Sequence, residues 1–140
     1  MPQHSIQVRV PFVDVDSSHR IHFTAMMRYM ELVEHEMTRA LGFPYATTLH
    51  DMGFPRVHVS CDYIRAIGFD DELTIVARVT RVGNSSWTTA FTAYFTKELH
   101  ENAEAAKPAA KGEMTIVALD KETGRATPLP DELRKVLSKD

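Results

Sequence analysis

Apolar and polar residues alternate along the first part of the chain. Over residues 5–13, apolar side chains at Ile6, Val8 and Val10 are separated by polar side chains. A period of two predicts a half-buried β-strand. The polar run that follows, residues 14–19, predicts a loop after this strand.

A helical period replaces this alternation in the next segment. Thr24 is a suitable N-cap residue, and Gly42 can adopt the left-handed conformation that commonly ends a helix. We therefore predict a long helix from Thr24 to about Leu41. Its apolar residues recur at helical spacing and are Phe23, Met26, Met27, Met30, Val33, Met37, Ala40 and Leu41. So broad an apolar face favours a helix enclosed by a sheet, with its four methionines as core filler rather than a ligand groove.

Strand patterns recur through the remainder of the chain. The predicted strands cover residues 57–63, 73–80, 87–95 and 114–119, with a hairpin turn at Gly83-Asn84. Short helical segments are expected at residues 44–54 and 130–138, and a mobile hairpin loop at residues 99–112. One dominant helix packed on an antiparallel sheet predicts an α+β fold, in one domain spanning residues 1–140. Because sheet edges would remain free, we expect the subunits to pair into a homo-oligomer.

Composition narrows the choice of partner and compartment. The 140 residues carry a net charge of −3, which argues against nucleic acid or an anionic membrane as the main partner. The first residues lack the features of a signal peptide, and no apolar run approaches the ~20 residues of a membrane span. These features indicate a cytoplasmic protein. Cys61 is the only cysteine, so no internal disulfide can form, and its strand context predicts a buried, inert thiol.

Two carboxylates stand at the junction between the first strand and the helix. Asp14 and Asp16 are two residues apart, so on a strand they would point to the same side and their mutual repulsion would raise the pKa of one. The free N–H groups at the start of the helix can hold a developing oxyanion. By itself, an Asp-x-Asp motif before a helix more often forms a turn or caps the helix. The combination of two carboxylates with the free N–H groups of the helix start makes this junction the candidate catalytic site.

The motifs of the chain resemble those of the 4-hydroxybenzoyl-CoA thioesterase family. The resemblance begins at Asp14-Val15-Asp16 and continues through Arg28-Tyr29-Met30-Glu31 in the helix. Further similar segments are residues 39–42, 62–65, 69–73, 83–86 and 128–130. Their shared order and spacing extend over nearly the whole chain, which makes the set more specific than any single motif.

The resemblance implies a hotdog fold, in which an antiparallel sheet of five or six strands wraps around one long central helix. It also implies hydrolysis of an acyl-CoA thioester, at sites between the subunits of a homodimer or homotetramer. Asp16 would act as nucleophile or general base, and the backbone N–H of Phe23 would polarise the thioester carbonyl. No cofactor or metal is implied. CoA is the expected thiol carrier, with acyl carrier protein as the alternative.

Four positions depart from the pattern of this family. His19 stands where the family usually has Gly, so the turn must form without a permissive residue. Phe23, Ala25 and Met26 are apolar where many relatives carry polar side chains. A catalytic His at position 23 is therefore absent, and His19 and His22 are the nearby candidates to orient water or bind phosphate.

Binding of CoA would need groups that recognise its phosphates and its pantetheine arm. Arg56 and Arg65 are the candidates for the phosphates, and Ser85 and Ser86 for hydrogen bonds to the pantetheine arm.

Other functions explain fewer of the features of the sequence. Glu31, Glu34, His35 and Glu36 crowd one helix, but di-iron bundles need paired Glu-x-x-His motifs on two helices. A Ser-His-Asp hydrolase would carry a Gly-x-Ser-x-Gly elbow, which this sequence lacks. Two hotdog alternatives stay open. One is a hydratase or dehydratase that uses an Asp and a His near the helix start, and the other is a non-catalytic protein that binds acyl thioesters.

Overall fold

A five-stranded antiparallel sheet is the framework of the protein in the computed structural model, which describes residues 1–140. In chain order the strands are β1 (Gln3–Arg9), β2 (Met52–Gly53), β3 (Arg56–Tyr63), β4 (Glu72–Val82), β5 (Ser86–Phe95), β6 (Ala110–Val117) and β7 (Leu119–Asp120). The main sheet has the order β1-β4-β5-β6-β3, and β2 pairs separately with β7. Every pairing is antiparallel. The α+β hotdog fold expected from the sequence is therefore confirmed.

The helices are α1 (Phe23–Ala40), α2 (Tyr45–Thr48), α3 (Thr96–Glu101) and α4 (Asp131–Ser138). The predicted N-cap of α1 was wrong by two residues, because His22 caps the helix by accepting a hydrogen bond from the amide of Thr24 at 3.4 Å. Gly42 has φ +93°, as expected for the residue that ends α1. The predicted loop at residues 99–112 was too long, since α3 extends into it and β6 begins at Ala110.

The core lies between α1 and the inner face of the sheet. Met26, Met30 and Met37 are each at most 2% exposed and pack with residues of the central strands. Of the four methionines in this helix, these three therefore fill the core, as expected. Gly112 on β6 is required for this packing, because a Cβ there would lie 2.7 Å from Cε of Met30 and 2.8 Å from the carbonyl oxygen of Ser60. Leu133 and Leu137 of α4 extend the core.

The strand β3 forms one edge of the sheet and remains uncovered. α1 packs mainly against β1 and β4, so apolar side chains of β3 are exposed, with Val57 at 61% and Val59 at 38%. Such an edge offers unpaired N–H and C=O groups to another strand. No helix in the structure has both the length and the apolar content that crossing a membrane requires.

Candidate functional site at the start of α1

The two aspartates before α1 lie in different environments. Asp14 closes a 3₁₀ turn, Phe12–Asp14, and its side chain is 4% exposed. Asp16 is exposed and belongs to the next turn, in which its amide donates a hydrogen bond of 2.8 Å to the carbonyl oxygen of Arg20. The expectation that both carboxylates share one side was wrong, because a 3₁₀ turn and not a strand carries Asp14.

Local hydrogen bonds keep Asp16 ionised. The hydroxyl of Ser18 donates to Oδ1 of Asp16 at 2.5 Å, and the amide of Ser18 donates to the same oxygen at 2.8 Å. These two bonds lower the pKa of Asp16 below its ordinary value of 3.8, and the bond from the Ser18 hydroxyl has the larger effect. The pKa of Asp14 is lowered too, so the predicted rise of one pKa by mutual repulsion was wrong. The exposed carboxylate of Asp16 keeps Oδ2 for solvent or substrate.

The first amide of α1 is free and firmly placed. The N–H of Phe23 has no hydrogen-bond acceptor within the chain, as expected for the first turn of a helix. The amide of Ile21 donates to the carbonyl of Ile67 at 2.8 Å, and the amide of His22 donates to the carbonyl of Asp14 at 2.7 Å. These bonds fix the segment between Asp16 and the helix, where the N-terminal end of α1 favours negative charge.

Tyr63, at the end of β3, also holds the start of α1. Its hydroxyl donates a hydrogen bond to the carbonyl oxygen of Phe23. The two residues line a shallow surface pocket of about 190 Å³ together with Arg65 and Arg20. Sequence reasoning missed this role of Tyr63, although the residue lies in one of the segments that carry the family resemblance.

Arg65 is placed at this pocket by contacts with two elements of the fold. Its guanidinium donates two hydrogen bonds of 2.7 Å to the carboxylate of Glu98 and lies 4.8 Å from the centre of the Phe95 ring. The charge of Arg65 is therefore partly neutralised where it flanks the pocket.

The two histidine candidates flank the free amide in different ways. His22 shares a hydrogen bond of 2.8 Å between its Nδ1 and the hydroxyl of Thr24, and its ring stacks on Phe23 with 5.1 Å between centres. His19 is exposed and has φ +64°, a left-handed conformation in which a side chain is strained. The ring of His22 is thus oriented by the helix start, while His19 serves as a turn residue.

Comparison with known proteins identifies the family of this chain. The family model of the thioesterase superfamily matches residues 19–97, more than half of the chain. The chain belongs to the thioesterase superfamily. No curated protein matches it.

Solved structures with the same fold include proteins described as thioesterases. The chain is similar to a 1,4-dihydroxy-2-naphthoyl-CoA thioesterase from Synechocystis, with a TM-score of 0.85, 14% identity and coverage of 97% of this chain and 96% of the other. A gentisyl-coenzyme A thioesterase gives a TM-score of 0.82 at 19% identity, with coverage of 96% and 99%. A hypothetical protein from Aquifex aeolicus gives a TM-score of 0.83 at 19% identity, with coverage of 96% of this chain and 98% of the other. At these identities the likeness concerns the fold.

Two of the departures from the thioesterase pattern are explained by packing. Ala25 is 0% exposed and Met26 is 2% exposed, so both face the core rather than the loop that carries Asp16. Their apolar side chains are what their burial requires. Phe23 is 62% exposed and offers its amide, for which the nature of the side chain matters little. In this thioesterase superfamily member, the departures at Ala25 and Met26 therefore follow from packing in the core.

The remaining substrate-binding candidates lie at the other end of the sheet within one chain. Ser86 pairs with Val117 at one end of β6, whereas Tyr63 pairs with Ala110 at the other. Ser85 precedes Ser86 at the turn between β4 and β5, and Arg56 begins β3. Arg56 also donates a hydrogen bond of 2.9 Å to the fully buried Glu34. One chain of this thioesterase superfamily member does not bring these three residues to Asp16.

A larger pocket, of about 760 Å³, opens beside β4 and α3. Its lining is rich in carboxylates and includes Asp70, Asp71, Glu72, Glu98 and Glu101. This negative lining repels the phosphates of CoA, so the smaller pocket beside Phe23 is the better candidate for a thioester.

Proposed function

We propose that this protein hydrolyses acyl-CoA thioesters, with Asp16 as nucleophile or general base and the amide of Phe23 as the group that polarises the carbonyl. The observation that carries the proposal is the pairing of an ionised, exposed carboxylate with an unpaired helix-start amide on one short, hydrogen-bonded segment. Membership of the thioesterase superfamily supports the same reaction class.

The chemistry follows from these two groups. The thioester oxygen would accept a hydrogen bond from the N–H of Phe23, which stabilises the negative charge that develops there and is worth roughly 100–1,000-fold in rate. In one route a carboxylate oxygen of Asp16 attacks the carbonyl carbon and the C–S bond breaks, releasing CoA thiolate and leaving a mixed anhydride that water hydrolyses. In the other route Asp16 takes a proton from the water that attacks the carbonyl carbon directly, the C–S bond breaks, and the departing CoA thiolate receives that proton.

His22 and His19 serve this site in supporting roles. His22 is fixed beside the Phe23 amide by its bond to Thr24, so the free Nε2 of its ring can orient the attacking water. His19 lies on the exposed turn next to Asp16, where it can meet a phosphate of the substrate.

The proposal includes a homo-oligomer whose subunits pair through β3. Antiparallel pairing of two β3 edges would place the end that carries Arg56 in one subunit beside the Tyr63 end of the other. Such pairing would cover Val59 and bring Arg56, Ser85 and Ser86 of one subunit towards the Asp16 loop of its partner, where Arg65 already lies. A single catalytic domain over residues 1–140, working in the cytoplasm, completes the proposal.

A panel of acyl-CoA substrates with a thiol-trapping dye tests the reaction. We expect turnover by the wild type, loss of at least about 100-fold in kcat for Asp16→Asn, and unchanged turnover for Asp131→Asn, which alters a carboxylate that is 86% exposed on α4. Turnover equal in Asp16→Asn and wild type would remove Asp16 from the mechanism.

Two further measurements separate the alternatives. Water addition to an enoyl-CoA, followed by absorbance, would identify a hydratase. Binding of acyl-CoA without turnover of any substrate would identify the non-catalytic protein instead. Comparing turnover of acyl-CoA with turnover of the same acyl group on acyl carrier protein identifies the thiol carrier.

A further inference from the structure

A chain of hydrogen bonds joins the end of β3 to the first turn of α1. It begins at the hydroxyl of Tyr63, which donates to the carbonyl oxygen of Phe23. That carbonyl belongs to the peptide group between Phe23 and Thr24. The N–H of the same peptide group donates to Nδ1 of His22 at 3.4 Å. One peptide group therefore accepts a hydrogen bond from Tyr63 and donates another to His22.

The helix start is the place where such a bond has most effect. Phe23 is the first residue of α1 and is 62% exposed, so packing alone restrains it little. Helix ends fray, because their first amides and last carbonyls have no partner within the helix. A hydrogen bond from another element of the fold opposes this fraying. Tyr63 therefore restrains the residue that carries the free amide of α1.

The backbone around Tyr63 gives this bond a firm base. Tyr63 pairs with Ala110 of β6 at the last position of the ladder between β3 and β6. The next two amides, those of Ile64 and Arg65, both donate to the carbonyl oxygen of Ala109, at 2.9 and 3.0 Å. The chain is thus tied to one neighbouring segment both at Tyr63 and directly after it, so the position of the phenol ring is set by the sheet.

The hydroxyl of Tyr63 stays protonated at neutral pH. Burial raises the pKa of Tyr63 above its ordinary value of 10.0, and the thiol of Cys61, two residues earlier on β3, raises it further. A carbonyl oxygen has no proton to donate. The direction of the bond is therefore fixed, with Tyr63 as the donor and Phe23 as the acceptor.

The same peptide group also sets the state of the His22 ring. A backbone N–H can only donate, so the bond from Thr24 requires a lone pair on Nδ1 of His22. The hydroxyl of Thr24 lies 2.8 Å from the same nitrogen and can donate to it as well. The neutral ring of His22 therefore carries its proton on Nε2, where it is available to water or substrate.

We propose that Tyr63 is a positioning residue of the hydrolytic site. By holding the peptide group that follows Phe23, it sets the direction of the Phe23 amide and, through Thr24, the tautomer of His22. The inference rests on the proposed function, in which these two groups serve the thioester. Tyr63 acts through the helix start and not on the reacting atoms. Its effect is on the rate, because an oxyanion donor stabilises the transition state only when it points at the developing charge.

Deletion of one hydroxyl group tests the proposal kinetically. Tyr63→Phe keeps the ring that lines the pocket beside Phe23 and removes only the donor. We expect kcat for an acyl-CoA to fall by about tenfold while KM stays the same. Tyr94→Phe is the matched control, since Tyr94 lies on β5 opposite Thr74, away from the helix start, and should keep both constants. A wild-type kcat in Tyr63→Phe, even with a lower urea midpoint, would leave Tyr63 only a structural role and overturn the proposal.

NMR of the free protein separates this inference from hydrolysis itself. At a pH where the imidazole is neutral, the ring nitrogens of His22 should report a single tautomer with its proton on Nε2 in wild type and in Tyr94→Phe. Tyr63→Phe should show a mixture of tautomers and a shifted amide signal of Phe23. Absence of turnover in wild type would refute the proposed function, but these signals would still decide the role of Tyr63. An unchanged His22 tautomer together with an unchanged Phe23 amide signal in Tyr63→Phe would overturn the inference.

Discussion

The hydroxyl of Tyr29 donates a hydrogen bond of 2.6 Å to Oδ2 of Asp14. Arg28, one residue earlier on α1, donates to Oδ1 of the same carboxylate. Burial alone would raise the pKa of Asp14, but these two partners outweigh it and the pKa lies below its ordinary value of 3.8. Asp14 therefore fastens the loop to α1 as an anion, and the exposed Asp16 is the carboxylate to which we assign the proposed chemistry.

Replacement of Asp14 is expected to cost stability. Asp14→Asn removes the ion pair with Arg28 and weakens the charge-assisted bond from Tyr29, so the free energy of unfolding should fall by about 2 kcal/mol. The measurement is urea denaturation at neutral pH. Asp16→Asn is the matched control, because its carboxylate is exposed and an amide oxygen can still accept the bonds from Ser18, so the midpoint should fall by much less than in Asp14→Asn. Equal midpoints for Asp14→Asn and wild type would contradict the role assigned to Asp14.

The same carboxylate predicts a pH dependence. Since the pKa of Asp14 is lower in the folded than in the unfolded state, its stabilisation is present above the ordinary value of 3.8 and is lost as pH falls through the folded pKa. The stability difference between wild type and Asp14→Asn should therefore shrink on acidification below that value. A difference that grows on acidification would show that the sign is wrong.

His19 is expected to be a site where glycine stabilises the fold. With φ +64° its side chain is strained in the left-handed region, so His19→Gly should raise the free energy of unfolding by up to about 1 kcal/mol. Ser17→Gly in the same turn is the control. Because the φ of Ser17 is not positive, glycine there should lower stability by about 0.5–1 kcal/mol. Destabilisation by both changes would refute the prediction.

Periodicity made the fold predictable, and local geometry limited the prediction of the site. The long helix and the main strands follow from apolar spacing, which burial imposes directly. β6 begins at Ala110, before the predicted residue 114, because Ala110 and Gly112 give no apolar strand pattern, and Gly112 is required where Met30 approaches closely. The separation of Asp14 from Asp16 depends on a 3₁₀ turn after Pro11, and the bond from Tyr63 to Phe23 joins distant segments. Neither leaves a periodic signal.

Glu34 predicts a second, opposite pH dependence. Its complete burial raises the pKa from the ordinary 4.5 to about 7, although the hydroxyl of Tyr45 and the charge of Arg56 both lower it. The folded state therefore binds a proton more tightly than the unfolded state, and stability is lost as pH rises from about 4.5 to about 7.

Substitution isolates this effect from the other titrating groups. The stability of wild type relative to Glu34→Gln should decrease by on the order of 3 kcal/mol across that interval, measured by urea denaturation at a series of pH values. Tyr45→Phe removes a bond that lowers the pKa of Glu34, so it should extend the loss to higher pH. Parallel curves for wild type and Glu34→Gln would show that the buried carboxyl does not titrate in this range.

A charge on the free edge of the sheet is expected to prevent assembly. Val59 lies on β3, opposite Met114 of β6, and is 38% exposed. A lysine at this position would meet its own copy across a symmetric pairing of two β3 strands, and edge lysines block such pairing. Val59→Lys should therefore change the mass measured by light scattering from that of an oligomer to that of a monomer. In the proposed dimer the site takes groups from both subunits, so thioesterase activity should fall with it. Ser5→Lys places the same charge on β1, the other edge strand, and should leave both assembly and turnover intact. If wild type and Val59→Lys scatter as monomers of equal activity, each chain works alone and pairing through β3 is refuted.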